Sequence, residues 1–366
     1  MMRSLRRAWP SYLIAAAALA ILWVVLRSVS LADAWAALRG LTVWELALLA
    51  LANGVVLFTM TARWWYFLFT FGHRIPYLRL VSYRLAAFGV SYFTPGPHFG
   101  GEPLQVYLVS KQHQVPTPDS IAAVALDKVV EMLANFTFLV AGALVILYLQ
   151  VLPPLAEGQM IVYAVALLSL PVLLIAAMWH GVHPVSGFWR GLQSFARRGR
   201  LGTPSDEAAL LTGRFYTVTR HTEDQVIWLC QQRPAALAVA LAISALNWAA
   251  VIGEFWLMTA VLDLNLSVGQ AVMALVAARV AILLPVPAAI GTLEVSQVLV
   301  MGELGLNPAL GISLSALIRA RDVTLGLLGL WIGGSRLWRE AQPPPELAAL
   351  MTPELPLPVQ PSTPAD

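Results

Sequence analysis

Cysteine and charged residues are both scarce in this chain. Cys230 is the only cysteine among 366 residues, so neither an internal disulfide nor a thiolate metal site can form. Charged residues make up 12% of the sequence and hydrophobic residues 58%, which is too apolar for an ordinary soluble domain. A Walker-type phosphate-binding loop is absent, which argues against ATP hydrolysis by this chain. We therefore predict an all-α polytopic membrane protein and expect it to use no metal, cofactor or nucleic acid.

Six apolar runs are long enough to cross about 30 Å of hydrocarbon as helices that rise 1.5 Å per residue. We predict these spans near residues 11–29, 44–67, 120–149, 161–179, 235–262 and 309–332. Seven arginines lie between residues 181 and 233, and basic residues favour the cytoplasmic side. We therefore predict a cytoplasmic loop at 181–233 and cytoplasmic N- and C-termini in an inner cell membrane. Ala32-Asp33-Ala34 resembles a signal-peptidase site, so cleavage of the first span is an alternative.

Two segments outside the predicted spans have distinctive sequences, one amphipathic and one rich in proline. Within 181–233, apolar residues recur at helical spacing and predict an amphipathic helix; they are Leu211, Phe215, Val218, Thr222 and Val226. This helix either lies on the membrane surface with arginines toward the head groups or packs on the protein itself. Residues 341–366 contain eight prolines and no hydrophobic run. We predict that they form a disordered tail after an integral membrane domain of residues 1–340.

Proline and glycine interrupt two apolar segments, and a glutamate follows each interruption. The breaks run from Phe93 to Glu102 and from Leu284 to Glu294, and a shift of 192 positions aligns both glutamates. The same shift aligns Pro95 with Pro287, within repeat halves at about 44–150 and 235–334. The residues at the breaks are Pro95, Gly96, Gly100, Gly101, Pro285, Pro287 and Gly291.

Paired interrupted segments of this kind point to a substrate site near the bilayer midplane. Because neither arm of either segment is long enough to cross, we predict two re-entrant helical hairpins. Span counting and the bias of basic residues make them an inverted repeat, and one mislabelled span would make the repeat parallel. The alternative is that both breaks are ordinary Pro/Gly loops between helices.

Ionisable residues occur inside the apolar segments, where an unpaired charge costs at least about 2.5 kcal/mol. Each hairpin glutamate is followed 25 residues later by an ionisable residue in a span. Asp127 and Glu131 share one helix face, as do Arg319 and Asp322, and we expect these faces to point inward. The candidate cluster is Glu102, Asp127, Lys128, Glu131, Arg279, Glu294, Arg319, Arg321 and Asp322. These residues either pair only with each other or leave a base for a phosphate and an acid for an amine or proton.

Several of these residues also carry a resemblance to a known family. Tyr83-Arg84-Leu85, Pro95-Gly96, Gly101-Glu102, the segment 126–131, Pro287, Gly291 to Glu294 and Arg319 resemble the membrane region of lysylphosphatidylglycerol synthases. That region also occurs alone, as flippase-like proteins. The family usually has a Glu-Arg pair and an Asp where Asp127, Lys128 and Glu131 stand, and a glycine-rich turn where this chain has Ala288-Ala289.

The resemblance implies a lipid-handling membrane protein that moves a polar-headed lipid between leaflets, and it adds Arg84 to the candidate site. Only a proline-rich tail follows the membrane region, where the family carries its lysyl-transferring domain, so we expect no aminoacyl-lipid synthesis. A lipid phosphate would bind Lys128, Arg279 or Arg319, and Glu102 and Glu294 would act as gates or proton carriers. The alternatives are an enzyme that uses these carboxylates on a lipid-linked phosphate or sugar, and a scaffold for a partner synthase.

Overall fold

The computed structural model describes residues 39–94, 100–149, 154–198, 206–284, 286 and 289–341. The regular structure within these ranges is helical, and no strand occurs among them. The helices, in chain order, are α1 Val43–Thr70, α2 Tyr77–Phe93, α3 Glu102–His113, α4 Thr117–Leu149, α5 Pro154–Trp179, α6 Pro184–Arg198, α7 Asp206–Gln232, α8 Pro234–Val261, α9 Val268–Leu283, α10 Thr292–Glu303 and α11 Pro308–Ala341.

Four stretches of helix are long and apolar enough to cross a membrane: Val43–Thr70, Thr117–Tyr148, Ile161–Trp179 and Pro234–Val261. They match four of the six predicted spans. The span predicted near 11–29 and the tail predicted after residue 341 lie outside the described residues. The span predicted at 309–332 lies within α11, a continuous helix of 34 residues. An all-helical membrane protein is therefore confirmed, and the arrangement of six spans with two inverted hairpins stays a prediction.

Two sets of four helices repeat the same order of lengths. Helices α1 to α4, here the first half, contain 28, 17, 12 and 33 residues. Helices α8 to α11, the second half, contain 28, 16, 12 and 34 residues. The short second and third members of each set are the arms on either side of a break. The gapless repeat seen in the sequence is thus also a repeat of helix lengths.

Each break begins where a residue that precedes proline takes an extended conformation. Thr94, before Pro95, has φ −93° and ψ 147°, and Leu284, before Pro285, has φ −68° and ψ 142°. The proline ring disfavours helical dihedral angles at the preceding residue, so both helices end there. Pro95, Gly96, Pro285 and Pro287 themselves lie outside the described residues.

The two halves pack reciprocally. Helix α1 lies against α8, the arm α2 of the first half lies against α11, and the arm α9 of the second half lies against α4. Glycines allow these close approaches, because a Cβ at Gly329 would collide with the Leu85 carbonyl and one at Gly142 with the Val276 side chain. These crossings bring the breaks together.

A small apolar cluster marks the place where the breaks meet. Tyr92 and Phe93, at the end of α2, pack with Ile290 of the second break and Val323 of α11. The two breaks therefore lie against the same helix, and neither stands alone at the edge of the fold.

The segment predicted as a cytoplasmic loop at 181–233 contains helices α6 and α7. Helix α7 packs on α4 and α5, and its Val226, Leu229 and Cys230 are buried in the same core as Trp64 of α1. Burial also raises the pKa of the Cys230 thiol. Of the two interpretations of the amphipathic pattern, packing on the protein is therefore correct at the C-terminal end of α7.

Candidate functional site

A cavity of about 290 Å³ lies between the two halves. Its walls come from α1 to α4 on one side and from α8, α9 and α11 on the other. The ionisable residues that line it are Arg84, Glu102, Asp127, Lys128, Glu131, Glu254, Arg279, Arg321 and Asp322. Eight of the ten ionisable residues of the candidate site, Arg84 and Arg321 included, are thus brought together. The other two, Glu294 and Arg319, do not line the cavity.

Asp127 of α4 is the centre of the charge cluster in the first half. Its carboxylate is 1% exposed and accepts hydrogen bonds from Arg63 Nε at 2.7 Å and Arg84 Nη1 at 2.6 Å. Glu131, one turn further along α4, lies 3.6 Å from Arg63 and 3.7 Å from Arg84. Arg63 also donates to Ser244 Oγ of α8 at 2.9 Å. Two arginines from α1 and α2 therefore hold one face of α4 and connect it to the second half.

Glu102 links the first break to α4. Lys128 Nζ lies 3.2 Å from Glu102 Oε1 and 3.3 Å from Glu131 Oε1. The second oxygen of Glu102 accepts from the Gly100 N–H at 2.7 Å. Glycine is required at position 100 by a φ of 138°, and at 101 because a Cβ would collide with the Ala87 carbonyl. The carboxylate of Glu102 is thus held by both the break and the following helix.

The charges of the second half are arranged around Arg321 of α11. Its guanidinium lies 3.0 Å from Glu254 Oε2 of α8 and 2.8 Å from Asp322 Oδ1. Asn53 of α1 donates to Glu254 Oε1 at 2.9 Å, and Asn247 of α8 donates to the Val56 carbonyl at 3.1 Å. These polar groups therefore line the cavity and also connect α1 with α8.

Glu294 and Arg319 form an ion pair at the second break. Arg319 Nε donates to Glu294 Oε1 at 2.7 Å, and Arg319 Nη2 donates to the Ala289 carbonyl at 3.3 Å. The Arg319 side chain is 4% exposed and that of Glu294 is 36% exposed. Gly291, with φ 77°, precedes the first turn of α10. This pair holds the second break on α11, away from the cavity lining.

Arg279 of α9 is presented to the cavity in a different way. Its guanidinium lies over the Trp248 ring at 5.0 Å, and Trp248 stacks on Phe138 with ring centroids 4.3 Å apart. Within the described ranges, no side chain forms an ion pair or hydrogen bond with Arg279. The aromatic stack thus supports a cation in the cavity wall, and no side chain among the described residues accepts from its N–H donors.

The sequence analysis missed one member of the network, Arg63. The aromatic and basic residues at 63–66 are typical of a membrane interface, yet Arg63 is only 2% exposed. The sequence did contain one signal for a missing base. The candidate cluster held five acids and four bases, and a buried acid needs a basic partner.

The fold and the cavity define an all-helical integral membrane protein with an ion-paired polar chamber between two similar halves. A family model for the lysylphosphatidylglycerol synthase TM region matches residues 11–329, nearly the whole chain. The chain belongs to this family, which makes it a membrane protein of lipid metabolism or transport. No curated protein matches the chain.

Proposed function

We propose that this protein binds the phosphate-bearing head group of a membrane lipid in the cavity and moves that lipid between leaflets. One observation carries the proposal: Arg279 faces the cavity without an ionic partner among the described residues, while Arg84, Lys128 and Arg321 each have one. A cation in an enclosed, partly apolar site is costly unless an anion meets it. A lipid phosphate supplies that anion.

The geometry of Arg279 suits a phosphate. A guanidinium held over an aromatic face keeps the N–H groups at its edge available, and they can donate two parallel hydrogen bonds. Trp248 and Phe138 belong to α8 and α4, so the stack holds Arg279 of α9 at the contact of both halves. The donor is therefore oriented before any ligand arrives, which reduces the entropy lost on binding.

The size of the cavity favours a head group over a whole lipid. A volume of about 290 Å³ is at the low end for sites that enclose small molecules. Met132, Phe136, Ile282 and Leu283 form an apolar part of its lining. In this proposal the polar head occupies the charged part of the cavity, and the acyl chains stay in the bilayer.

Movement of the head group would use the two breaks. The equal order of helix lengths and the reciprocal packing of the halves support a repeat in which hairpins enter from opposite sides. Glu102, held by Lys128 and the first break, would gate the cavity, whereas Glu294, paired with Arg319 outside the cavity lining, would hold the second break on α11. The protein would lie in the inner cell membrane with both termini in the cytoplasm, as its basic residues predict.

The test is leaflet exchange of a fluorescent phospholipid in proteoliposomes that contain the full chain. We expect Arg279→Gln to slow exchange at least about tenfold, because a charge-assisted hydrogen bond is worth roughly 1.5–3 kcal/mol. Arg279→Lys keeps the charge and should retain part of the rate. Arg79→Gln is the matched control, because Arg79 is exposed and outside the cavity lining.

Exchange by the wild type no faster than in empty vesicles would reject lipid movement. Mass spectrometry of the labelled lipid before and after exchange separates movement from covalent chemistry, since transport leaves the lipid mass unchanged. A changed mass would favour the enzymatic alternative.

A further inference from the structure

Helix α6 has a clear division between an apolar stripe and a basic face. The apolar residues follow the helical repeat over more than two turns; they are Val185, Phe188, Trp189, Leu192 and Phe195. Arg190, Arg197 and Arg198 occupy the other side of the helix. This is the pattern of a helix that lies in the plane of a membrane surface.

The contact of α6 with the rest of the protein uses a different flank. Glu223 of α7 accepts hydrogen bonds from the Val185 N–H at 2.7 Å and the Ser186 N–H at 3.3 Å, so it caps the start of α6. Ser186 is fully buried, and His183 lies 2.8 Å from Asp224 of α7. Helix α6 is therefore fixed to α7 through hydrogen bonds at its first turn.

Two of the three described side chains of the apolar stripe face outward, and the third, Trp189, is half-buried. Phe188 is 72% exposed and Val185 is 49% exposed. Val182, in the turn before α6, is 51% exposed, and Trp179, at the end of the membrane-spanning stretch of α5, is 45% exposed. Exposed apolar side chains thus occur at the end of a membrane-spanning stretch, in the turn after it and on α6.

We infer that α6 lies in the head-group layer of the bilayer, with its apolar stripe in the acyl boundary and its arginines at the phosphates of anionic lipids. Continuity with the span of α5 identifies the occupant, because the bilayer that covers Trp179 also reaches the stripe only a few residues later. The three arginines give the charge that attracts an anionic surface. This inference does not depend on lipid movement through the cavity.

The test uses environment-sensitive dyes on single-cysteine variants of the full chain. The native thiol is removed first by Cys230→Ala, and Phe188→Cys, Val185→Cys or Arg190→Cys is then introduced. In vesicles of zwitterionic lipid with added anionic phospholipid, we expect the dyes at positions 188 and 185 to show blue-shifted emission and quenching by spin-labelled lipid. The dye at position 190 should remain in water.

Two outcomes would overturn the inference. Equal exposure to water at positions 188 and 190 would show that the stripe is not in the bilayer. Disulfide-linked dimers of the Phe188→Cys variant in detergent, together with no lipid quenching in vesicles, would show that a second copy covers the stripe. We expect the combined change of Arg190, Arg197 and Arg198 to Gln to abolish the part of the quenching that depends on anionic lipid, and an unchanged dependence would also contradict the inference.

Discussion

The charge clusters of the two halves differ in how completely they are paired. In the first half, Arg63, Arg84 and Lys128 each lie within ion-pair distance of an acid. In the second half, Arg321 has two acids, Glu254 and Asp322, while Arg279 rests on an aromatic ring. The paired half holds helices together, and the incompletely paired half is the one for which we propose an anionic ligand. An ionisable residue in a membrane is thus a functional candidate only once its partners are known.

A second difference concerns the glutamates that follow the breaks. Each pairs with a base on the next long helix, Glu102 with Lys128 and Glu294 with Arg319. The base stands 26 residues after Glu102 but 25 residues after Glu294. One residue rotates a helix position by about 100°. The two bases therefore lie at different angular positions on their helices, although Asp127, at the same offset as Arg319, also lines the cavity.

The largest effect is expected from Asp127→Asn. It leaves the buried guanidiniums of Arg63 and Arg84 without their central anion, and removal of one partner from a buried ion pair costs about 3–5 kcal/mol. Thermal unfolding in detergent measures the loss. Asp322→Asn is the control, because Arg321 retains Glu254 and the loss should be smaller. Equal losses in the two variants would contradict the contrast between the halves.

The next largest effect on stability is expected where α11 crosses α2. Gly329→Ala places a methyl group against the Leu85 carbonyl, where α11 crosses α2, and should lower the free energy of unfolding by about 1–3 kcal/mol. Gly334→Ala, on the same helix with open space at its Cβ, should change stability little. Similar behaviour of the two variants would argue against close packing between the halves.

Local features of the fold could be predicted from the sequence, because they depend on neighbouring residues. Proline fixed the ends of α2 and α9 through the residue before it, and apolar length identified four spans. The partners of buried charges could not be predicted, because Arg63 and Glu254 come from helices distant in sequence. Spacing assigns a residue to a helix face, but it does not say which helix that face meets.

The same limit explains the candidate site. Glu294 and Arg319 fit the repeat as well as Glu102 and Asp127 do. Only Glu102 and Asp127 line the cavity, however. The amphipathic helices give a second example of this limit. The sequence offered α7 as a helix for the membrane surface, but the C-terminal end of α7 packs on the core, and the amphipathic helix with exposed apolar side chains is α6. Both outcomes depend on tertiary contacts that one sequence pattern does not specify.

The aromatic support of Arg279 gives a smaller effect. Trp248→Leu removes the ring under the guanidinium, and a cation–π contact of roughly 0.5–2 kcal/mol predicts head-group binding weaker by about two- to thirtyfold. Phe138→Leu removes only the ring that stacks on Trp248 and leaves Trp248 itself under Arg279, so it should weaken binding less. Titration of a short-chain phosphatidylglycerol, followed by tryptophan fluorescence in the wild type and by calorimetry in the variants, measures both. Unchanged affinity in Trp248→Leu would remove Arg279 from the proposed site.

The smallest effect on stability is expected from Glu102→Gln, and it separates the two glutamates by function. Lys128 keeps Glu131 at 3.3 Å, and the Glu102 side chain is 24% exposed, so the loss should be roughly 1 kcal/mol or less. Exchange of labelled lipid should nevertheless slow by about tenfold, because the carboxylate lines the cavity. Glu294→Gln, compared at equal amounts of folded protein, should stay within about twofold of the wild-type rate, since its pair with Arg319 lies outside the lining. Equal slowing by both variants would mean that Glu294 reaches the head group during transport, and the contrast between the two breaks would then describe only one state of the cycle.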